Sequence, residues 1–456
     1  MAIVEFIPNQ IQSSSDQFFD EKEFRSIVEK GLALAKKLGA SSAAVGIAGG
    51  TGFNVDVRLG EVEKVEHQQT RQFGITLYVG HKKAGCSTND FSSQSIATAV
   101  EKAYQMAKYT SEDPCAALPD PKMLGFDYQN PDLDYPWDIE VKQAIDLAKA
   151  CEATALSLDK LITNSEGASV ATGRVLQVLG NSYGFLGSYI TTNHSLSCSL
   201  IAGKGDAMQR DGDYSLTRDA RDLWSPEIVA RKAVAKTVRR LNAKKIATLK
   251  CPVIFESQVA RTLVGSFLKA INGYNLYRKS SFLLDKVGCK VFADHVSIQE
   301  KPHLAKAWGS APFDGEGVKT NERFLVIDGI LQGYLLDSYA ARKLKMQTTG
   351  NSGGAHNVFI SHGDQNLESL LKMMDKGFLV TELLGSGANI MTGDYSRAAF
   401  GFWVENGVIQ YPVMGVTIAS NLKDIFSNIV AIGNDVDYRS SIYTGSILVE
   451  SMTVAG

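Results

Sequence analysis

Hydrophobic positions first recur at helical spacing just past residue 20. Phe24, Ile27, Val28, Leu32, Ala35 and Leu38 share one face, Asp20 precedes them and Gly39 follows, which predicts a capped helix over 21–38. Alternation of period two replaces that spacing in five short segments, 43–47, 53–59, 62–66, 73–79 and 83–88. These read as half-buried antiparallel strands. A second helix presents Ile96, Ala99, Val100, Ala103 and Ala107 inward.

The stretch 112–136 is dense in Pro, Asp and Gly and reads as a linker. Beyond it the same order returns: a helix over about 138–157, alternating strands from 160 to 216 with turns at 165–167, 180–183 and 204–206, and a helix after Pro226. Its basic tail (Arg239, Arg240, Lys244, Lys245) reads as a solvated face. From 246 onward short strands and many glycines dominate, with modest helices at 338–344, 365–375 and 421–430 and hairpin dipeptides at Asp328–Gly329 and Asn406–Gly407. Strands in runs rather than alternating with helices predict an α+β chain, not a doubly wound nucleotide fold. The expected organisation is a polar arm (1–19), an α+β unit (20–111), the linker (112–136), a second α+β unit (137–245) and a curved, mostly antiparallel C-terminal unit (246–456).

Composition narrows the function classes. The 456 residues carry 47 Lys and Arg against 49 Asp and Glu, so no basic surplus points to nucleic acid or an anionic membrane. Six cysteines lie far apart with no C-x-x-C pair, and no 18-residue apolar run or secretory leader is present. Reduced thiols in a cytoplasmic protein are the expectation. None of the seven histidines is followed by Glu, which excludes an H-E zinc motif. G-x-S-x-G and P-loop endings are absent as well. The acids Asp314 and Glu316 read first as a turn with solvated carboxylates. On residues alone there is no self-contained catalytic constellation.

Several motifs in order carry a resemblance: PVIFES at 252–257, YRKSSFLLDKVG at 277–288, PFDGEGVKTNERFLVIDGIL at 312–331, SYAARKLKMQTTGNSGGAHN at 338–357, TGDYSRAAFGFWVENGVIQYPV at 392–413 and IASNLKDIFSNIVAIGND at 418–435. Together they resemble the TldD/PmbA family of zinc-protease-related proteins, in its PmbA (TldE) branch. The resemblance implies two kinds of member that pair as a heterodimer. The TldD kind carries H-E-x-x-x-H on a helix and a C-terminal cysteine as third zinc ligand.

Aligned with that helix, this chain has Arg261, Thr262 and Ser266, and no cysteine follows Cys289. Arginine stays protonated and serine ligates zinc poorly. The resemblance therefore implies a non-catalytic subunit with no cofactor of its own, zinc residing in a TldD-type partner, and unfolded proteins or peptides as substrates. It leaves room for a homodimer when the chain is alone, and implies neither nucleic acid nor membrane. Candidate substrate or partner contacts are Asp314, Glu316, Asn351, His356 and Asp394. Two other readings stay open: an independent hydrolase using those acids and His356 or a metal shared across a homodimer, and a regulator of a nucleic-acid enzyme.

Overall fold

The computed structural model describes residues 20–456; the arm expected over 1–19 lies outside them. Helix α1 (Glu21–Leu38) begins where Asp20 accepts the N–H groups of Lys22 and Glu23 at 2.9 and 3.1 Å, a cap worth about 1 kcal/mol. Gly39 ends it in the left-handed conformation, and Phe24, Ile27, Val28 and Ala35 are buried as the spacing predicts.

The five segments expected next are three strands. β1 (Ser42–Arg58) and β2 (Glu61–Val79) run 17 and 19 residues, and β3 (Lys82–Thr88) completes the meander. The glycine-rich run at 49–52 looked like a break but remains extended, because β1 lies between β2 and β4 (Ile162–Asn181). At Gly52 a Cβ would stand 2.2 Å from the Thr172 carbonyl oxygen, so the close approach of β4 requires glycine there. The turn expected at 165–167 is instead an irregularity inside β4, where Ser165 Oγ accepts the Gly167 N–H.

With β5 (Leu186–Ala202) and β6 (Gln209–Thr217) the strands form one antiparallel sheet, ordered β3-β2-β1-β4-β5-β6. The two helix–meander–helix units thus share a single sheet. Odd positions of β1 face the helices: Val45 and Ile47 pack in the core with α1 and α2 (Ser93–Tyr109), and Val55 and Val57 in that with α3 (Val141–Leu158) and α4 (Pro226–Val238). Helix α3 also anchors the β1–β2 turn, since buried Glu152 accepts the N–H groups of Leu59 and Gly60 at 2.9 Å. The opposite face is left for the rest of the chain.

The segment 112–136 crosses that face. Ala116 and Leu118 pack with Tyr78, and Leu124 packs with Phe185 and Phe313 of the C-terminal unit. Arg342 donates to the carbonyls of Cys115, Ala117 and Leu118, and Asp113 accepts from Tyr339 and Lys343.

The C-terminal unit opens with β7 (Leu249–Phe255), α5 (Ser257–Ala270) and α6 (Gly273–Tyr277), then β8 (Ile298–Glu300), β9 (Arg323–Ile327), β10 (Ile330–Leu331) and α7 (Ser338–Lys343). It continues through β11 (Val358–Ile360), α8 (Leu367–Met374), β12 (Gly377–Leu384), β13 (Asp394–Glu405) and β14 (Val408–Asn421). It closes with α9 (Leu422–Ser427), β15 (Ile429–Ile432), β16 (Ile442–Tyr443) and β17 (Ile447–Ala455). A five-stranded sheet runs β10-β9-β8-β11-β16. A six-stranded one runs β14-β13-β12-β7-β17-β15 and curls until β14 also pairs with β17. All pairs are antiparallel except β7–β12 and β11–β16. Both predicted hairpin dipeptides turn the chain, between β9 and β10 and between β13 and β14. This is an α+β chain with a curved C-terminal domain.

One expectation is corrected at the junction. Arg239 and Arg240 are not a solvated tail: Arg239 pairs with Glu256 at 3.3 Å, and Arg240 pairs with Asp211 and Glu382 while stacking 3.9 Å from the Phe400 ring centroid. The basic end of α4 meets carboxylates that only the tertiary fold brings to it.

Candidate functional site

The loop 350–356 projects from the C-terminal unit toward the uncovered face of the large sheet. Between them lies a cleft of about 510 Å³, walled by Gly46, Ala48, Gln72 and Leu179 on the sheet side and by Asp314, Ser352, Gly354 and His356 on the other. Two smaller clefts, about 250 and 220 Å³, adjoin the same loop. Gly353 and Gly354 hold φ values of 110° and 120° with open space where a Cβ would stand. Glycine is required there by backbone conformation, which lets a ligand or partner backbone approach closely.

Buried polar bonds hold the loop rigid. Glu300, 1% exposed, accepts from Arg323 Nε at 2.9 Å, from Asn351 Nδ2 at 2.8 Å and from the His356 N–H at 2.8 Å. Asn351 in turn accepts from Arg323 and from Thr349 Oγ1 and donates to the Gly354 carbonyl. The His356 ring lies between two carbonyl oxygens, Gly309 O at 3.2 Å from Nδ1 and Gly350 O at 2.9 Å from Nε2.

Asp314 is 4% exposed, not solvated as the turn reading expects. Its Oδ1 accepts the N–H groups of Glu316 and Val318 and its Oδ2 that of Ser352, all at 2.9 Å. Burial pushes its carboxyl up to about 7 against the pull of those donors. Half-buried Glu316 accepts the Ser338 N–H at the start of α7, and burial raises its carboxyl too.

Asp314, Glu316, Asn351 and His356 therefore belong to one neighbourhood. Asp394 stands apart at the start of β13, exposed, accepting from Thr392 Oγ1 at 2.6 Å and Asn421 Nδ2 at 3.2 Å. Sequence reasoning missed Glu300 and Arg323. The signal was the alternation of β8, which places Glu300 on the buried face beside Ile298. Both Asp314 oxygens and both His356 ring nitrogens already face backbone partners.

Helix α5 carries Arg261, Thr262 and Ser266, the positions that the resemblance sets against the zinc helix. Thr262 Oγ1 donates to the Val259 carbonyl at 2.7 Å and Ser266 Oγ to the Thr262 carbonyl at 2.9 Å, so both hydroxyls are satisfied within the helix. Arg261 offers no ligand atom. Among the described residues no group of three or more His, Cys, Asp or Glu could hold a metal ion. The donor set does not fit zinc.

Comparison with known proteins agrees along the whole fold. The chain matches PmbA/TldA metallopeptidase domain 1 over 43–107, the central domain over 134–241 and the C-terminal domain over 248–456. It is 45% identical to the metalloprotease PmbA of Escherichia coli O157:H7 over 435 residues, covering 95% of this chain and 97% of that one. A Bacteroides thetaiotaomicron crystal structure, whose name ties it to DNA gyrase, superposes with a TM-score of 0.90 at 28% identity, covering 95% and 99% of the two chains. TldE from Thermococcus kodakarensis shares the fold at a TM-score of 0.81 and 21% identity, over 94% of this chain and 100% of that one. With three successive domains matched and 45% identity to a relative aligned over nearly the whole of both chains, this chain belongs to the PmbA/TldA metallopeptidase family.

Proposed function

We propose that this chain is the non-catalytic subunit of a heterodimeric metallopeptidase, pairing with a TldD-type chain that holds the zinc and cleaves unfolded or peptide substrates. The observation that carries the reading is helix α5. At the positions where the partner kind has two histidines and a glutamate, this chain has Arg261, Thr262 and Ser266, with both hydroxyls bonded to their own helix. Family membership and the fold shared with a TldE support it. In this reading the cleft beside loop 350–356 guides substrate or seats the partner, since a glycine-rich backbone beside a sheet suits an extended peptide. An independent hydrolase has weaker support, because Asp314 and His356 are occupied by backbone groups.

The test is co-expression with an H-E-x-x-x-H paralogue. The two chains are expected to co-purify, and only the mixture to degrade an unfolded peptide. Full activity of the paralogue alone, with no association, would defeat the proposal.

A further inference from the structure

A second cleft, about 490 Å³, lies between β6, α4 and the C-terminal unit and shares no lining residue with the first. Four cations and three carboxylates line it, and most are mutually paired. Lys306 bonds Asp219 and Asp222, and Arg439 bonds Asp437 and Asp213. Asp435 accepts both the N–H and the Oγ–H of Ser446.

Two cations have no such partner. Arg218 is 8% exposed, and its guanidinium donates to two neutral carbonyls, Thr192 O at 2.9 Å and Trp308 O at 3.1 Å. Its Nε has no partner, and among the described residues no carboxylate pairs with it. A buried charge without a counter-ion is costly, and burial accordingly lowers its proton affinity. Lys232 reaches the rim of the same cleft, its Nζ 4.6 Å from the Trp224 ring centroid and outside ion-pair distance of any carboxylate in the described residues. The first residues of α5, Ser257 and Gln258, also line the cleft, but the Ser257 N–H donates to Ser446 Oγ and Glu256 occupies the N-cap, so that end adds no free positive charge.

We propose that this cleft binds a carboxylate of a peptide between Arg218 and Lys232, with Trp224 and Trp308 packing against the neighbouring chain. The carboxylate is supplied by the peptide's C-terminus or by an acidic side chain. Naming a peptide as its carrier rests on the proposed function. The anion site rests on the uncompensated cations alone.

The test uses the full chain without a partner and three labelled, unstructured peptides followed by fluorescence anisotropy: one with a free C-terminus and no acidic residue, its C-terminal amide, and that amide carrying one internal glutamate. Binding by the first or third, about tenfold tighter than the plain amide and weakened by salt, is expected, and which of them binds identifies the carboxylate. Lys232→Gln, at an exposed position, is expected to lose about tenfold in affinity. Arg218→Gln is expected to lose more, but Arg218 also joins β5 to the C-terminal unit, so Lys232→Gln with unchanged thermal unfolding is the deciding variant. Equal binding of all three peptides, wild-type affinity in Lys232→Gln, or inorganic phosphate binding more tightly than either acid peptide would overturn the proposal. Lys232→Gln is expected still to pair with the metallopeptidase partner. Loss of the complex in the wild type would defeat the proposed function and leave the peptide result standing.

Discussion

Helix α5 and loop 350–356 lie side by side in the C-terminal unit, both lining the cleft of about 220 Å³, yet they treat polar groups in opposite ways. On α5 the hydroxyls of Thr262 and Ser266 reach only carbonyls of their own helix. In the loop, Asn351 and His356 tie together four separate stretches through Glu300, Arg323 and Gly309. Groups satisfied locally can be exchanged at little cost to the fold. Groups bonded across distant segments cannot. The chain has therefore a helix whose two hydroxyls are closed off locally and, next to it, a loop whose conformation is fixed by a buried network.

Substitutions can break that contrast, and the largest effect is expected at Glu300. Glu300→Ala strands Arg323 in a mostly buried setting and leaves the Asn351 and His356 donors unpaired. A loss of roughly 3–5 kcal/mol is expected in urea unfolding. If Glu300→Ala unfolds like the wild type, the network is not what fixes the loop.

Asn351→Ala removes an acceptor for Arg323 and a donor to Glu300 and is expected to cost about 1–3 kcal/mol by the same measurement. Its proteolytic nicking at the loop should rise in parallel.

Asp314 gives a pH signature. Its folded pKa of about 7 exceeds the ordinary 3.8, so between about pH 4 and 7 the folded chain retains a proton that the unfolded chain has released. Stability from this group is complete at low pH and falls as pH rises through that window, by at most about 1.4 kcal/mol per pH unit. Asp314→Asn should flatten the slope between pH 4 and 7. An unchanged slope would assign the effect elsewhere.

The smallest effect belongs to α5. Ser266→Ala and Thr262→Ala are each expected to shift stability by about 0.5 kcal/mol or less, since neither hydroxyl reaches beyond its helix. A loss of several kcal/mol in either would show that α5 carries a bond across the fold.

The same distinction between local and distant partners explains what could be read from the sequence. Helix α1, with its Asp20 cap and Gly39 stop, and the Asn406–Gly407 hairpin were legible because each is decided within a few residues. The continuity of β1 through residues 49–52 was not, because alternation reports which face a residue takes and not whether a neighbouring strand keeps the run extended. Arg239 and Arg240 were misread for a related reason: their carboxylates, Glu256, Asp211 and Glu382, lie on other elements. Within the candidate site, Asp314, Asn351 and His356 were singled out through family motifs. The cleft itself was hidden, because its other wall comes from residues such as Gly46, Gln72 and Leu179, more than 100 positions earlier in the chain. That α5 carries no histidine, cysteine or acid at positions 261, 262 and 266 was legible without a structure. The hydrogen bonds of Thr262 and Ser266 add the physical reason that those positions are stable as they stand.

Zinc analysis of the purified chain, alone and after co-purification with an H-E-x-x-x-H paralogue, tests the central claim most directly. The account predicts far less than one zinc per chain when this protein is alone, and stoichiometric zinc confined to the paralogue in the complex. Tight, stoichiometric zinc in this chain, accompanied by peptide cleavage without a partner, would contradict it.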